Sequence, residues 1–426
     1  MSFRLIKAQR TKTNTVLIFA RDEFDSKLCF PVEQIPYFFV EELDSAEDKD
    51  IVDSEFGFKG IYGENLRKII VTNPSVVPDV RSKFLKTWEA DIPFARRCLV
   101  DLGVSSGFTN PQSTDLIPCA APVVPVKVCY LDLECIADDK MPDVEKDSIT
   151  CVTLSNGQTY FTAILDDVDF QSEDSGDYVA HFDSEQKLIK AVIGLINLLD
   201  CDVITAWNLP FDEEYLRKRA EQYNLLFPLL HCLRGVNSFD LLPAYRTLYR
   251  RKSYKLRDIA LDEGFTNVVE EKVNYGKLWE NDKPGLIERN KRHVQWLVQI
   301  NEKLKITDYY WSLKEFAGVE NLEDCMHSSV LIDTLLLRNS PSVLPSKEQR
   351  EHQVYEGAFI MKPQAAVLDS VAFFDFSRFY PSILLENKLD PIIFNHYKKW
   401  KESELTMSDY ISHIFAENPR LDNVTV

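Results

Sequence analysis

Cysteine spacing gives the first exclusion. The chain has 426 residues and nine cysteines, and no two of them form a CxxC pair. A zinc site or a disulfide framework is therefore not expected. Cys129, Cys135 and Cys151 fall in apolar, strand-like stretches, which marks them as small buried hydrophobes. Long apolar runs are also lacking, and none reaches the length of a membrane-spanning helix. The opening residues, MSFRLIKAQRTKTNTVLIF, show no charged segment followed by an apolar core and a small-residue cleavage site. A soluble, cytoplasmic protein with no membrane partner is expected. Positive charge is in short supply: 49 basic residues stand against 67 acidic ones, a net charge of -18. Taken alone, this balance argues against a polyanionic partner. Its distribution is uneven, however. Acid gathers in EELDSAEDKDIVDSE (41–55) and DDVDFQSEDSGD (166–177), both expected as surface loops. In contrast, YRTLYRRKSYKLR (245–257) is basic and tyrosine-rich. Metal-dependent nucleic-acid enzymes also need carboxylates, so the acidic total weighs little against DNA.

The 45% of hydrophobic residues excludes a disordered chain, and the length favours two or three domains. Residues 1–120 read as mixed strands and loops. The Pro-rich PCAAPVVPV (118–126) reads as a linker or boundary. KVCYLDLEC (127–135) is a buried strand by its β-branched and aromatic content. SITCVTLSNGQTYFTAIL (148–165) gives two strands around an Asn-Gly turn. EQKLIKAVIGLINLLD (185–200) has helical apolar spacing, CDVITAWN (201–208) is another strand, and DEEYLRKRAEQYNLL (212–226) another helix. This alternation indicates an α/β domain. Residues 284–340 turn helical, and a strand is expected again at DSVAFFDFS (369–377).

Asp132 and Glu134 stand two apart on the first buried strand, so period two places both on one face. Two carboxylates in apolar surroundings repel each other and lose hydration. A hard divalent cation relieves both costs; a strand end open to water is the equal alternative. Asp212, just after the strand 201–208, puts a third acid where open α/β sheets build their sites. It can also serve as a helix cap. Several carboxylates around paired ions are what phosphodiester hydrolysis requires.

DLE followed by NLPFD resembles the first and second exonuclease motifs of the family-B DNA polymerases. The likeness continues in TWEADIPFARRCLVDLGV (87–104), SFDLLPAYR (238–246), SYKLRDIALDEGF (253–265), VYEGAFI (354–360) and VAFFDFSRFYPSILLENKLDP (371–391), in order. It implies an α/β and α+β multidomain protein of archaeal type. Residues 1–120 would form an N-terminal domain and 121–325 a ribonuclease-H-like 3′→5′ exonuclease domain. A linker and the first part of a polymerase palm would occupy 326–426. The resemblance implies Mg²⁺, or Mn²⁺, at Asp132, Glu134 and Asp212 and at the motif A aspartate Asp375, placed at the end of the expected strand. It implies nucleotide contacts from Phe376, Ser377, Arg378, Phe379 and the steric-gate Tyr380. DNA contacts would come from Asn208, Phe211, Tyr355 and Gly357, and a template-uracil pocket from Pro36 and Tyr37 in EQIPYFFVEEL (33–43), for which apolar strand packing is the equal alternative. Basic and stacking groups together suit single-stranded nucleic acid, which adds Arg250, Arg251 and Lys252; a solvated helix face is the alternative.

The chain departs from the family at the third exonuclease motif, Y-x-x-x-D on a helix. Arg289 stands where the Tyr is expected and His293 where the Asp is expected. The string from Tyr254 to Asp258 matches by coincidence in an earlier segment. Loss of a carboxylate ligand and gain of nearby positive charge weaken Mg²⁺ binding, so exonuclease activity is expected to be severely reduced or absent; His293 as a general base is the alternative. Beyond motif A, neither the family's D-T-D motif nor its fingers motif occurs in these 426 residues. One carboxylate does not hold two Mg²⁺ ions firmly. The expectation is the large part of a split polymerase. Its partners would be primer-template DNA, a deoxynucleoside triphosphate, a second polypeptide carrying fingers, remaining palm and thumb, and a sliding clamp. A non-catalytic DNA-binding factor and a stand-alone 3′→5′ exonuclease are the competing readings.

Overall fold

The computed structural model describes residues 1–110, 116–136, 141–167, 170–174, 177–265, 274–347, 361–362, 366–367 and 369–387. They divide into two compact units, Met1–Gln34 with Pro93–Asn339, and Ile35–Ile92 with Ser340–Val426. The first unit opens with an antiparallel meander of β1 (Ser2–Arg10), β2 (Thr15–Asp22) and β3 (Lys27–Glu33). The chain then builds the second unit from β4 (Tyr37–Glu41), β5 (Ile51–Lys59), β6 (Asn65–Val71), α1 (Val77–Arg81) and β7 (Thr87–Trp88), in the sheet order β5-β6-β4-β7. Alternation along β4 sends Phe38 and Val40 into one cluster and Phe39 into another with Leu66 and Trp88. Both faces of the inner strands β4 and β6 therefore carry apolar clusters.

Back in the first unit, α2 (Phe94–Asp101) packs apolar residues on β1 and β2, and β8 (Gly107–Thr109) and β9 (Ile117–Cys119) extend their sheet. The boundary expected at 118–126 falls inside this unit, because β9 pairs with β8 and β8 with β1.

The main sheet holds seven strands in the order β13-β14-β12-β11-β10-β15-β16. They are β10 (Val128–Cys135), β11 (Ile149–Ser155), β12 (Tyr160–Leu165), β13 (Phe170–Asp174), β14 (Asp177–Phe182), β15 (Val203–Ala206) and β16 (Asn237–Asp240). The expected Asn-Gly turn joins β11 to β12. Gly157 takes φ +92°, and the Asn156 side chain accepts from the amides of Gln158 and Thr159. Helices α3 (Glu185–Leu198) and α4 (Leu209–Gln222) cover one face, packing on Leu131, Leu133 and Val152. After α5 (Leu241–Leu248) and α6 (Leu256–Asp262), α7 (Tyr275–Asn281) and α8 (Lys283–Leu304) pack from the other side around Tyr130, Cys151 and Ile164. The unit closes with α9 (Ile306–Ala317) and α10 (Ser328–Asn339).

Two sequence expectations need correction. The acidic stretches 41–55 and 166–177 are only partly loop: β5 begins at Ile51 and pairs with β6, and β13 pairs with β14. Residues 371–376 form no strand. They are exposed, with Phe373 at 93% and Phe374 at 94%, and lead through a turn into α11 (Phe379–Glu386). A strand needs a neighbour to satisfy its backbone and cover its apolar face. Among the described residues, none pairs with this stretch.

Candidate metal centre

The β10 sequence VCYLDLEC turns Leu131 and Leu133 toward α3 and α4, and Asp132 and Glu134 toward α8. Asn290 and His293, three apart on α8, share the face that meets them. Asn290 is fully buried. Its Nδ2 donates to Asp132 Oδ2 at 2.7 Å, and its Oδ1 accepts from the Cys151 thiol at 3.6 Å. The His293 ring lies tilted on Trp296, with centroids 5.4 Å apart. Its Nδ1 sits 3.2 Å from Asp132 Oδ2 and 3.2 Å from Glu134 Oε1.

A single ring nitrogen cannot serve both carboxylates, and Glu134 Oε1 is left without a hydrogen bond. Burial raises the Glu134 pKa from the ordinary 4.5 to about 7, with His293 opposing the rise. Asp212 is buried in the first turn of α4, and its pKa is pushed well above the carboxylate range. Burial is the first cause, followed by the fields of Asp132, Asp240 and Glu134. Ligand atoms of Asp132, Glu134 and His293 lie within 4.8 Å of one another; Asp212 is not part of that group. Two carboxylates, one of them with an orphaned buried oxygen, and an imidazole fit one divalent ion. The nitrogen ligand favours Mn²⁺ or a softer ion over Mg²⁺.

The turn before α4 is itself constrained. Asn208 caps the helix in the left-handed region at φ 72°. Its amide donates to Asp240 Oδ1 at 2.9 Å, and the same oxygen caps α5 through the Leu242 amide at 3.0 Å. Phe211 is half-buried on the core beside Tyr215, with ring centroids 5.7 Å apart. Sequence reasoning passed over Asn290, Asp240 and Tyr275. Of these, Asn290 carried a signal in its spacing of three from His293, and Asp240 lies inside the family-like segment SFDLLPAYR.

In the basic stretch, the tyrosines turn inward. Tyr245 is fully buried, and Tyr249 and Tyr254 pack on the same core. Tyr245 is thereby withdrawn from stacking on a base, while Tyr249 and Tyr254 stay half-buried. Arg250, Arg251 and Lys252 are exposed, and Arg251 is tied to Glu263 at 2.9 Å and to the Tyr245 hydroxyl at 3.0 Å. In the second unit, Pro36 is buried and Tyr37 half-buried, with Lys68 Nζ 4.3 Å from the Tyr37 ring centre. Asp375, Phe376, Ser377, Arg378, Phe379 and Tyr380 are all exposed. Arg378 takes φ 54°, and rings follow one another from Phe376 to Phe379 at 5.4 Å and from Phe379 to Tyr380 at 5.8 Å. Tyr355 and Gly357 lie outside the described residues. Among the described residues, no helix is long and apolar enough to cross a membrane.

Residues 85–233 match the family described as DNA polymerase family B, exonuclease domain, and residues 325–423 match DNA polymerase family B. DNA polymerase 1 of Pyrococcus abyssi is 25% identical over 397 residues, covering 82% of this chain and 47% of the relative. The DNA polymerase of Archaeoglobus fulgidus is 26% identical over 358 residues, covering 75% and 43%. The chain spans less than half the length of these two relatives. The solved family B DNA polymerase of the hyperthermophilic archaeon Pyrobaculum calidifontis shares the fold, with a TM-score of 0.70 and 19% identity over 91% of this chain and 57% of that one. With both family matches in the expected order and together taking in more than half of its residues, the chain belongs to DNA polymerase family B and corresponds to the N-terminal part of the archaeal enzymes.

Proposed function

We propose that the chain contributes primer-template binding, motif A and a hydrolytically impaired exonuclease domain to template-directed DNA synthesis. In functional terms it parcels into residues 1–120, 121–325 and 326–426. Asp375 and the backbone of Phe376 to Phe379 would meet the incoming nucleotide. Synthesis also needs the second palm acid, the fingers and the thumb. These come from a second polypeptide, or from further residues of the same one. Mixing this chain with a polypeptide carrying those parts should allow primer extension in Mg²⁺, and Asp375→Ala should abolish it. No extension by the folded pair rejects the proposal.

The impaired hydrolysis rests on one observation: the His293 Nδ1 at 3.2 Å from both Asp132 and Glu134. An ion held by Asp132, Glu134 and His293 would supply positive charge for a phosphodiester. The neutral imidazole gives that ion one negative charge fewer than an aspartate would. Arg289, whose field reaches Glu134, competes with it. Digestion of single-stranded DNA in Mg²⁺ should therefore be absent or very slow. Rapid digestion that disappears in Asp132→Ala would instead establish a working exonuclease.

A further inference from the structure

Arg289 and Tyr275 adjoin the carboxylate pair without being ligands. Arg289 lies one turn before His293, so both side chains leave the same side of α8. Its Nε donates to the Tyr275 hydroxyl at 3.1 Å, and its guanidinium carbon sits 5.1 Å from the centre of that ring. Tyr275 comes from a different helix, α7, and packs beside the cluster of Cys151, Ile164 and Leu286. The guanidinium is thus aimed by a packed ring rather than loose on a surface. Its charge acts on Glu134, and Glu134 in turn acts on the Tyr275 hydroxyl.

A guanidinium oriented by stacking and a hydrogen bond is well suited to phosphate. We propose that Arg289, positioned by Tyr275, grips the terminal phosphodiester of a single strand, so that the exonuclease-like centre holds a 3′ end without cutting it. The proposal rests on the reading that Mg²⁺-dependent hydrolysis is lost, and it gives the altered site a retained use. Arg289 supplies beside the acid pair the positive charge that a second divalent ion supplies in a two-ion centre.

The test takes the full chain and a short 5′-labelled oligothymidylate. Anisotropy reads binding and gels read cleavage, in EDTA, in Mg²⁺ and in Mn²⁺. Arg289→Gln should weaken binding roughly 10-fold and flatten the dependence of log K on log salt by about 0.7. Arg289→Lys, which keeps the charge but not the fork, should restore the salt slope and only part of the affinity. Tyr275→Phe keeps the ring and removes the acceptor; a loss of roughly 3-fold with an unchanged slope is expected. A circular single strand has no end, and it should bind wild type and Arg289→Gln alike. Folded Arg289→Gln that binds ends as wild type does, or that loses linear and circular strands equally, overturns the proposal. If Arg289→Gln fails to fold, unchanged end binding in both Arg289→Lys and Tyr275→Phe overturns it. Cleavage by wild type in Mg²⁺ refutes lost hydrolysis separately, and the binding comparison still decides whether Arg289 is a clamp.

Discussion

Replacing Glu134 with Gln should stabilise the ion-free protein, and the size of the gain should depend on pH. Burial raises the Glu134 pKa from 4.5 to about 7. Between those values the folded chain keeps a proton that the unfolded chain gives up. Stability tied to this group is fully present below pH 4.5 and is lost as pH rises through about 7. At about 1.4 kcal/mol per pH unit, ionising Glu134 in place costs the fold about 3 kcal/mol. Asp212 acts with the same sign, so wild type must be compared with Glu134→Gln rather than read alone. Urea unfolding in EDTA, followed by tryptophan fluorescence at several pH values, gives the comparison. The two proteins should be equally stable near pH 4.5, and the variant ahead by about 3 kcal/mol at pH 8. Mn²⁺ should narrow the gap, because an ion binds the charged wild-type pair better than the amide. A difference that stays flat with pH, or a variant less stable at pH 8, would refute the view that Glu134 is ionised at a cost.

His293→Asp adds a carboxylate to the site, and Mg²⁺ should then raise the unfolding temperature where wild type shows no rise; equal responses would show that His293 does not govern ion choice. Arg219 and Glu185 form a buried ion pair, with side chains 5% and 3% exposed. Glu185 also accepts from the Ile149 amide and the Tyr223 hydroxyl. Arg219→Met strands this carboxylate and should cost about 3–5 kcal/mol in urea unfolding, a loss under 1 kcal/mol contradicting the assignment. Asp375→Ala should leave primer-template binding unchanged by anisotropy, since the role proposed for it is with ions and nucleotide; a marked loss of binding would place it elsewhere.

The legible parts of the sequence were those set by local periodicity. Period two alone put Asp132 and Glu134 on one face of β10, and the alternation of strands and helices through α4 follows from the apolar spacing. The change at Arg289 and His293 was readable only through the family resemblance, which sets this segment beside the Y-x-x-x-D pattern. What escaped depends on neighbours distant in sequence. Tyr275 reaches the site only because α7 packs beside α8, and the inward turn of Tyr245 follows from the core formed by α5, α8 and α9. Residues 371–376 look like a strand because they are apolar, yet apolarity supplies no partner for their backbone.

The first strand of the chain is held by residues made much later. The Ala8 amide donates to Glu320, whose carboxylate grips Arg96, and Lys7 donates to the carbonyls of His231 and Val236. On the ribosome, β1 emerges long before any of these partners exists. One face of its sheet is covered early by α2, but the face carrying Ile6 and Phe19 must wait for residues 239–325, and contacts of such span form slowly. A fragment cut to begin at residue 121 would lack this strap and expose the surface it covers. Isolating the exonuclease-like part therefore requires keeping the first 34 residues with it.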